Sequence, residues 1–398
     1  MHALNIVQQL VRSCCPCLHA ARLRVLLAAV GAAVRARRLT LTELGCALLG
    51  PARVKHNIKR IDRLLGNRHL GAERFDLYQV LARRVVGALR EPLIVIDWSD
   101  LTPNRRWQLL RAAMPIGGRC LTLYEEVHPL ARLGNPRVQR AFLAKLKALL
   151  PVGVRPILIT DAGFRAPWFK SVNRLGWHWI GRVRNRTYVR PQGRQAWIGC
   201  KRLYAQAKPR PQALGAFAVA RSNPVSAHLY LIKRPKKHRI SKSVFGQRVR
   251  SNQSLKKARA QREAWLLAAS PSLAHLRAAQ IIKHFTTRMQ IEEAFRDLKC
   301  ARYGLGFELN LSRSRERLAA LLLIALLSFF VLWLIGSQAL ARKLQFHYQS
   351  NTRRTRPVLS LFNLACLIVR RATDQRLARH LPRLPLPIGL PLPIPNTI

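Results

Sequence analysis

Carboxylate is what this sequence has least of. Against 70 Lys+Arg stand only 17 Asp+Glu, a formal net charge of +53. Such an imbalance excludes a chain that stays compact on internal ion pairing, because the unbalanced charge repels itself unless a polyanion neutralises it. From residue 162 to residue 262 there is no acidic residue at all. A solvated surface normally mixes signs, so this stretch reads as a surface kept for phosphates, with an arginine-rich composition contributing.

Other absences narrow the field. The cysteines are scattered. "CCPCLH" (14–19) offers Cys14, Cys17 and His19, but no second pair follows at zinc-finger spacing, so reduced cytosolic thiols are the preferred reading. The N-terminal stretch lacks the apolar core of a secretory leader. There is no phosphate-binding Walker loop, no dinucleotide glycine motif and no HExxH. Long apolar runs are confined to "LAALLLIALLSFFVLWLIG" (318–336), where Ser328 is the one polar side chain. That length can cross a bilayer, and it also suits the central helix of a large domain, the preferred reading.

Hydrophobic residues make up 49% of the chain, enough for real cores. Residues 1–85 read as helical and basic. "TLTE" (40–43) is a capping box, and "VKHNIKRIDRLLGN" (54–67) places Ile58, Ile61 and Leu65 on one helical face. Lys55, Lys59, Arg60 and Arg63 lie elsewhere on that helix. A basic helix after a short turn suits a DNA-reading unit, and equally an ordinary bundle with a solvated face.

Residues 86–184 read as a first α/β core segment. Strands are expected in "EPLIVIDWSD", on both sides of Gly117-Gly118, in "RPILITDAGF" and in "WHWIGRVR", with helices over 135–150 and 166–177. Residues 185–262 form a basic, β-rich insertion whose stretch 234–262 reads as a loop. Residues 263–345 return to the core with the strand "AWLLAAS", one long helix over about 271–299, and the apolar helix. Residues 346–398 end in a Pro-rich run (381–395) unsuited to helix or sheet. The fold class is α/β with a mixed sheet.

With so few acids, each can be weighed. Asp97 and Asp161 each follow an apolar run, "PLIVID" and "PILITD", and so stand at the ends of strands entering the core. Active sites of open α/β sheets gather there, and an unpaired buried carboxylate is costly, a cost that a shared cation removes. Glu125 and Glu126 in "LTLYEEVHPL" read as structural, one of them exposed by strand alternation. In "RMQIEEAFRDLK" (288–299), helical spacing puts Phe285, Arg288, Glu292 and Lys299 on one stripe, with Glu293 turned toward Arg296. Two strand-end aspartates and one helical glutamate make an oxygen-rich set suited to Mg²⁺ and phosphoryl transfer.

These residues carry a resemblance. The chain resembles bacterial DDE insertion-sequence transposases, in the branch whose signature is Tyr, two residues, Arg, three, Glu, six, Lys. Here it reads Phe285, Arg288, Glu292, Lys299, with Phe in place of Tyr. The blocks "LTLTELG", "KHNIKRIDRLLGNRHL", "VIDWSD" and "DAGFRAPWFKSVNRLGW" support it, in order, over about residues 39–310. The resemblance implies an RNase H-like core with a β-rich insertion between the second Asp and the Glu. It implies that Asp97, Asp161 and Glu292 hold two Mg²⁺ ions, with Mn²⁺ as a substitute, and catalyse cut-and-paste transposition through a DNA hairpin. It implies that Trp265 stacks on a flipped base, the alternative being a core Trp, and that Arg288 and Lys299 grip that nucleotide's phosphate while Phe285 lacks the hydroxyl to help. The expected partners are double-stranded DNA, as element ends and target, and a second copy of the chain in the synapse, with no membrane. The expected setting is the bacterial cytoplasm, at the nucleoid. A catalytically inactive relative that occupies element ends is the competing reading.

Overall fold

The computed structural model describes residues 2–15, 18–235, 247–249, 251–252, 254–255, 263–353 and 355–373. Cys17, the Pro-rich run and most of the basic stretch 234–262 lie outside the described residues.

Five helices open the chain: α1 (His2–Cys14), α2 (Ala20–Ala36), α3 (Leu41–Cys46), α4 (Val54–Leu65) and α5 (Arg68–Val86). Thr40 caps α3 by accepting from the Glu43 amide at 3.3 Å. Asn67 ends the turn after α4 and caps α5, accepting from His69 and Leu70 amides at 2.9 and 3.1 Å. Each cap satisfies amides that the first helical turn leaves without intrahelical partners. Helices α3 and α4 cross closely, and Gly45 is the reason. A Cβ there would stand 2.5 Å from Ile58 Cγ1 and 2.8 Å from Ile58 Cα. Ile61 and Leu65 of α4 are buried, and Lys55, Lys59, Arg60 and Arg63 are all exposed.

Among the described residues, the α/β part is one sheet of ten strands. They are β1 (Leu93–Asp100), β2 (Trp107–Pro115), β3 (Cys120–Pro129), β4 (Ile157–Thr160), β5 (His178–Val183), β6 (Tyr188–Pro191), β7 (Ile198–Gly199), β8 (Gln212–Val219), β9 (Val225–Ile232) and β10 (Trp265–Ala269). Their spatial order is β3-β2-β1-β4-β5-β10-β9-β8-β6-β7. The first five form an RNase H-like unit: β1 and β2, and β2 and β3, pair antiparallel, while β4 runs parallel to β1 and β5 parallel to β4. The parallel crossovers carry α6 (Pro136–Leu149) and α7 (Ala166–Arg174). Phe169 of α7 stacks on Trp179 and closes over Gly181, where a Cβ would meet its ring at 2.5 Å. The insertion prolongs the same sheet beyond β10 through β9, β8, β6 and β7.

One helix expected over 271–299 is two: α8 (Ala278–Thr286) and α9 (Met289–Lys299). The threonines between them make the break. Thr286 and Thr287 hydroxyls donate to the carbonyls of Lys283 and His284 at 2.6 and 2.7 Å. The amides of Thr287, Arg288 and Gln290 turn to carbonyls three residues back, tightening the chain out of α geometry. Helix α9 lies across β1, β2 and β3, and α8 across β5, β8 and β9.

The apolar run is α10 (Arg315–Ala341), capped by Ser314. It packs against α1, α2, α4, α5, β3 and α11 (Leu361–Thr373), and its most apolar window is 83% buried. Ser328 is satisfied within the helix, donating to the Ile324 carbonyl at 2.7 Å. A helix apolar all round is thus enclosed by the helical layer and the sheet edge.

Gly45→Ala forces backbone at Ile58 to move. The variant is expected to lose about 1–3 kcal/mol of stability in urea unfolding. An unchanged midpoint would show that α3 and α4 do not need their close approach.

Candidate active site

Neighbouring parallel strands bring the two aspartates together. Ile96 of β1 pairs with Thr160 of β4, and Thr160 with Gly181 of β5. One residue further along, Asp97 and Asp161 stand side by side: Asp161 follows the last residue of β4, while Asp97 lies within β1, which runs on to Asp100 by pairing with β2, and so does not end its strand as the sequence suggests. Asp97 accepts from the Trp98 amide at 2.8 Å. Asp161 accepts from the Gly163 amide at 2.8 Å in a tight turn, where a Cβ on residue 163 would approach its Oδ1 to 3.0 Å. Burial and the neighbouring Asp161 push Asp97 up to about 7, against the pull of Arg288 and the Trp98 amide.

Arg288 ties this pair to α9. Its Nη1 lies 3.1 Å from Asp97 Oδ2, and its Nη2 pairs with Glu292 Oε1, one turn on. Burial works against the guanidinium's charge, and Asp97 and Glu292 outweigh it, so its pKa is raised. Lys299 reaches back to β1 and donates to Ser99 Oγ at 2.6 Å, with its ammonium 5.4 Å from the Phe295 ring centre. Burial lowers Lys299 to about 8, with Arg111 adding to the effect.

Trp265 opens β10 and is half-buried. Phe285 meets it edge-on, ring centres 5.2 Å apart, and Arg234 lies over it at 4.7 Å. Phe285 is 2% exposed. It therefore backs Trp265 from inside and offers no surface to a phosphate, unlike its expected place on the cationic stripe. The helix break at Thr287 is why the stripe ends before it.

The expected metal set is only partly assembled. Among the described residues, no three His, Cys, Asp or Glu side chains are gathered closely enough to clasp a metal by themselves. Asp97 and Asp161 are neighbours, while Glu292 is 44% exposed and turned to Arg288. Electrostatics accounts for this: three carboxylates repel, and the guanidinium satisfies two of them. The carboxylate oxygens of this donor set are of the kind that suits a hard cation, and the Arg288 guanidinium now stands against Asp97 and Glu292.

Several supporting residues carried no signal in the sequence. The β2–β3 turn grips α9: Arg119 Nε lies 2.5 Å from Asp297 Oδ2, and the Gly118 amide donates to Gln290 Oε1 at 3.0 Å. Arg111, opposite Asp97 in register, is buried on Glu125 at 2.6 Å and stacks 5.1 Å from Phe295. Tyr78 donates to the same carboxylate at 3.1 Å. Strand alternation suggests that Glu125 or Glu126 is exposed, and neither is. Helices cover β3 on both faces, α9 beside Arg111 and α6 beside Glu126, so both carboxylates need internal partners. Glu293 pairs with Arg296, as helical spacing suggests. The four cations of α4 contact none of these acids among the described residues.

An RNase H-like sheet thus sets Asp97 beside Asp161, and Arg288 links Asp97 to Glu292 on α9. The family model described as transposase DDE domain matches residues 90–331, more than half of the chain, and the chain belongs to that family: it is a DDE transposase. Among solved structures it is similar to a piggyBac transposase synaptic complex with hairpin DNA, at 12% identity and a TM-score of 0.41, covering 92% of this chain and 76% of that one. No curated protein matches.

Glu126 yields a pH test. Its carboxylate receives Tyr124 Oη at 2.7 Å, His128 Nε2 at 2.8 Å and Lys145 Nζ at 2.7 Å. Burial alone would raise its pKa; His128, Lys145 and Tyr124 outweigh burial and hold it at about 2, against an ordinary 4.5. A depressed folded pKa stabilises the fold above the unfolded value, and that stability is lost as pH falls from about 4.5 toward 2. Glu126→Gln is expected to cost about 3 kcal/mol at pH 7 and close to nothing at pH 2, in urea unfolding across pH. Equal losses at both ends would contradict the assignment.

Proposed function

We propose that this transposase moves an insertion sequence by cut-and-paste chemistry, through Asp97, Asp161 and Glu292 and by way of a DNA hairpin. The transposase of the tetracycline-resistance transposon is the kind of enzyme it is taken to be near. The observation that carries the reading is Arg288, which joins Asp97 and Glu292 beside Asp161.

Asp97, Asp161 and Glu292 would hold two Mg²⁺ ions, which when bound supply a Lewis acid for the attacking and leaving oxygens. Each step breaks one P–O bond and makes another at the same site. Water first frees a 3′-OH at the element end. That hydroxyl attacks the opposite strand and closes a hairpin, water reopens it, and the 3′-OH then joins target DNA. The chain's own side chains supply position and charge. Arg288 exchanges carboxylates for a phosphate, and Lys299, fixed against Ser99, faces the same region. Trp265, steadied by Phe285, stacks on the base displaced at the hairpin tip, a contact worth about 1–3 kcal/mol. Lys55, Lys59, Arg60 and Arg63 hold duplex DNA on the exposed face of α4. Two copies act together so that both ends are cut in one complex, in the bacterial cytoplasm at the nucleoid.

The test is strand cleavage of labelled DNA carrying the element's own flanking inverted repeats. Nicks and hairpins are expected only with Mg²⁺ or Mn²⁺, with a loss of about a thousandfold or more in Asp97→Ala and Glu292→Ala. Variants that cut like the wild type would remove these residues from the chemistry. Salt-sensitive binding without cleavage by the wild type would identify an inactive end-binding relative instead.

A further inference from the structure

Far from the acid site, the sheet ends in a short pair of strands. β7 is its last strand among the described residues, and β6 stands between it and β8. Tyr188 pairs in register with Gly199, and Val189 with Ile198. The Cys200 amide extends the ladder by donating to the Thr187 carbonyl at 2.9 Å. Val189 is fully buried, so alternation turns Tyr188 and Arg190 to the opposite face. Tyr188 is 46% exposed there. Across from it Gly199 has no side chain, and a Cβ at that position would meet nothing within 4 Å. The tyrosine ring therefore borders open space over bare backbone. One turn of chain away, Arg190 lies over the Trp197 ring at 5.0 Å from its centre, so guanidinium and indole brace each other.

Around these rings the charge has one sign. Arg186, Arg194, Lys201 and Arg202 are exposed. Arg186 precedes Tyr188 by two residues and Lys201 follows Gly199 by two, so the ladder brings them to the same end. Arg194 sits at the other end, in the turn after β6, where its amide donates to the Pro191 carbonyl at 3.2 Å. Residues 162–262 contain no carboxylate to pair with these cations, and Glu263, the next acid in the chain, is held by Arg184 at 2.6 Å. A cationic surface with an open aromatic ring is matched by a polyanion with bare planar faces. Duplex DNA offers the phosphates and hides its base faces in the stack, whereas a single strand offers both.

The unit stands apart from the acid site. β7 is four strands from β10, about 19 Å at ordinary interstrand spacing. Helix α8, which reaches Trp265 through Phe285, crosses β9 and β8 between them. We infer that the β6–β7 edge is a second nucleic-acid site, one that takes single-stranded DNA without regard to sequence. A base stacks on Tyr188 in the space beside Gly199, and the exposed cations hold the phosphates on either side. Membership of the transposase family makes DNA the strand at hand, and the site does not depend on the cleavage reaction proposed above.

The test uses the full chain, metal-free buffer and a fluorescent strand of about fifteen thymidines, which carries no element sequence, with affinity read by anisotropy. Tyr188→Ala is expected to bind it about tenfold more weakly, while Tyr188→Phe keeps the ring and stays within about twofold of the wild type. Gly199→Leu is expected to match Tyr188→Ala. The Gly199 backbone is extended (φ −64°, ψ 131°), so a side chain there brings no strain and removes only the open space. Lys201→Gln is expected to reduce the slope of log affinity against log salt by about 0.7. A blunt duplex of the same length is expected to bind the wild type and Tyr188→Ala alike. Melting temperatures are expected to hold throughout. A wild type that does not bind the strand would overturn the proposal, as would wild-type affinity in both Tyr188→Ala and Gly199→Leu. Equal losses on strand and duplex would overturn it too. A Tyr188-dependent preference for a uridine strand of the same length would assign the edge to RNA and overturn the assignment to DNA. If Tyr188→Ala melts lower, Gly199→Leu decides, and undiminished strand binding there overturns the proposal.

Discussion

Two carboxylates set side by side where the parallel strands β1 and β4 stop pairing repel each other, and the groups around them answer that repulsion. Asp97 and Asp161 are neighbours because β1 and β4 run parallel and in register. Burial and proximity raise Asp97 to about 7, so the pair is poorly stable as two anions. Arg288 offsets part of this from α9 and draws Glu292 toward it in the same gesture. A site with this imbalance has affinity for positive charge built into it. The guanidinium meets that demand here, and in the proposed reaction a hard cation would meet it.

The rest of the fold holds α9 to the sheet at one rotation. The β2–β3 turn pins it through Arg119 and Gly118, and Lys299 ties its last turn to Ser99. Beneath, Arg111, Glu125 and Tyr78 form a buried network against Phe295, directly across from Asp97. Removing one member of such a network strands a buried charge, which is why both glutamates of β3 are retained in a chain so short of acid. Helix α10 binds the N-terminal helices to the same core, so the basic face of α4 and the acid site belong to one connected body.

Much of this was legible in the sequence because it rests on local pattern. The apolar run before Asp161 is a strand that ends there, and Thr40 caps α3 as its capping box suggests, whereas β1 runs past Asp97 to Asp100 because β2 continues to pair with it. Strand order and the extended sheet depend on pairings distant in sequence, which no local pattern carries. The break at Thr287 was hidden because its residues fit a helical period, and only the hydroxyls' competition for backbone carbonyls undoes it. Glu125 and Glu126 misled because alternation assumes one wet face, and β3 has none.

The central claim is that Asp97 and Asp161 form a cation-demanding pair. Electron paramagnetic resonance of free Mn²⁺, titrated with the purified protein without DNA, tests it most directly. The account requires saturable loss of the free-ion signal, abolished by Asp97→Asn and retained in Arg288→Met, where competition from the guanidinium is gone. Equal Mn²⁺ binding by wild type and Asp97→Asn, or none by the wild type, would contradict it.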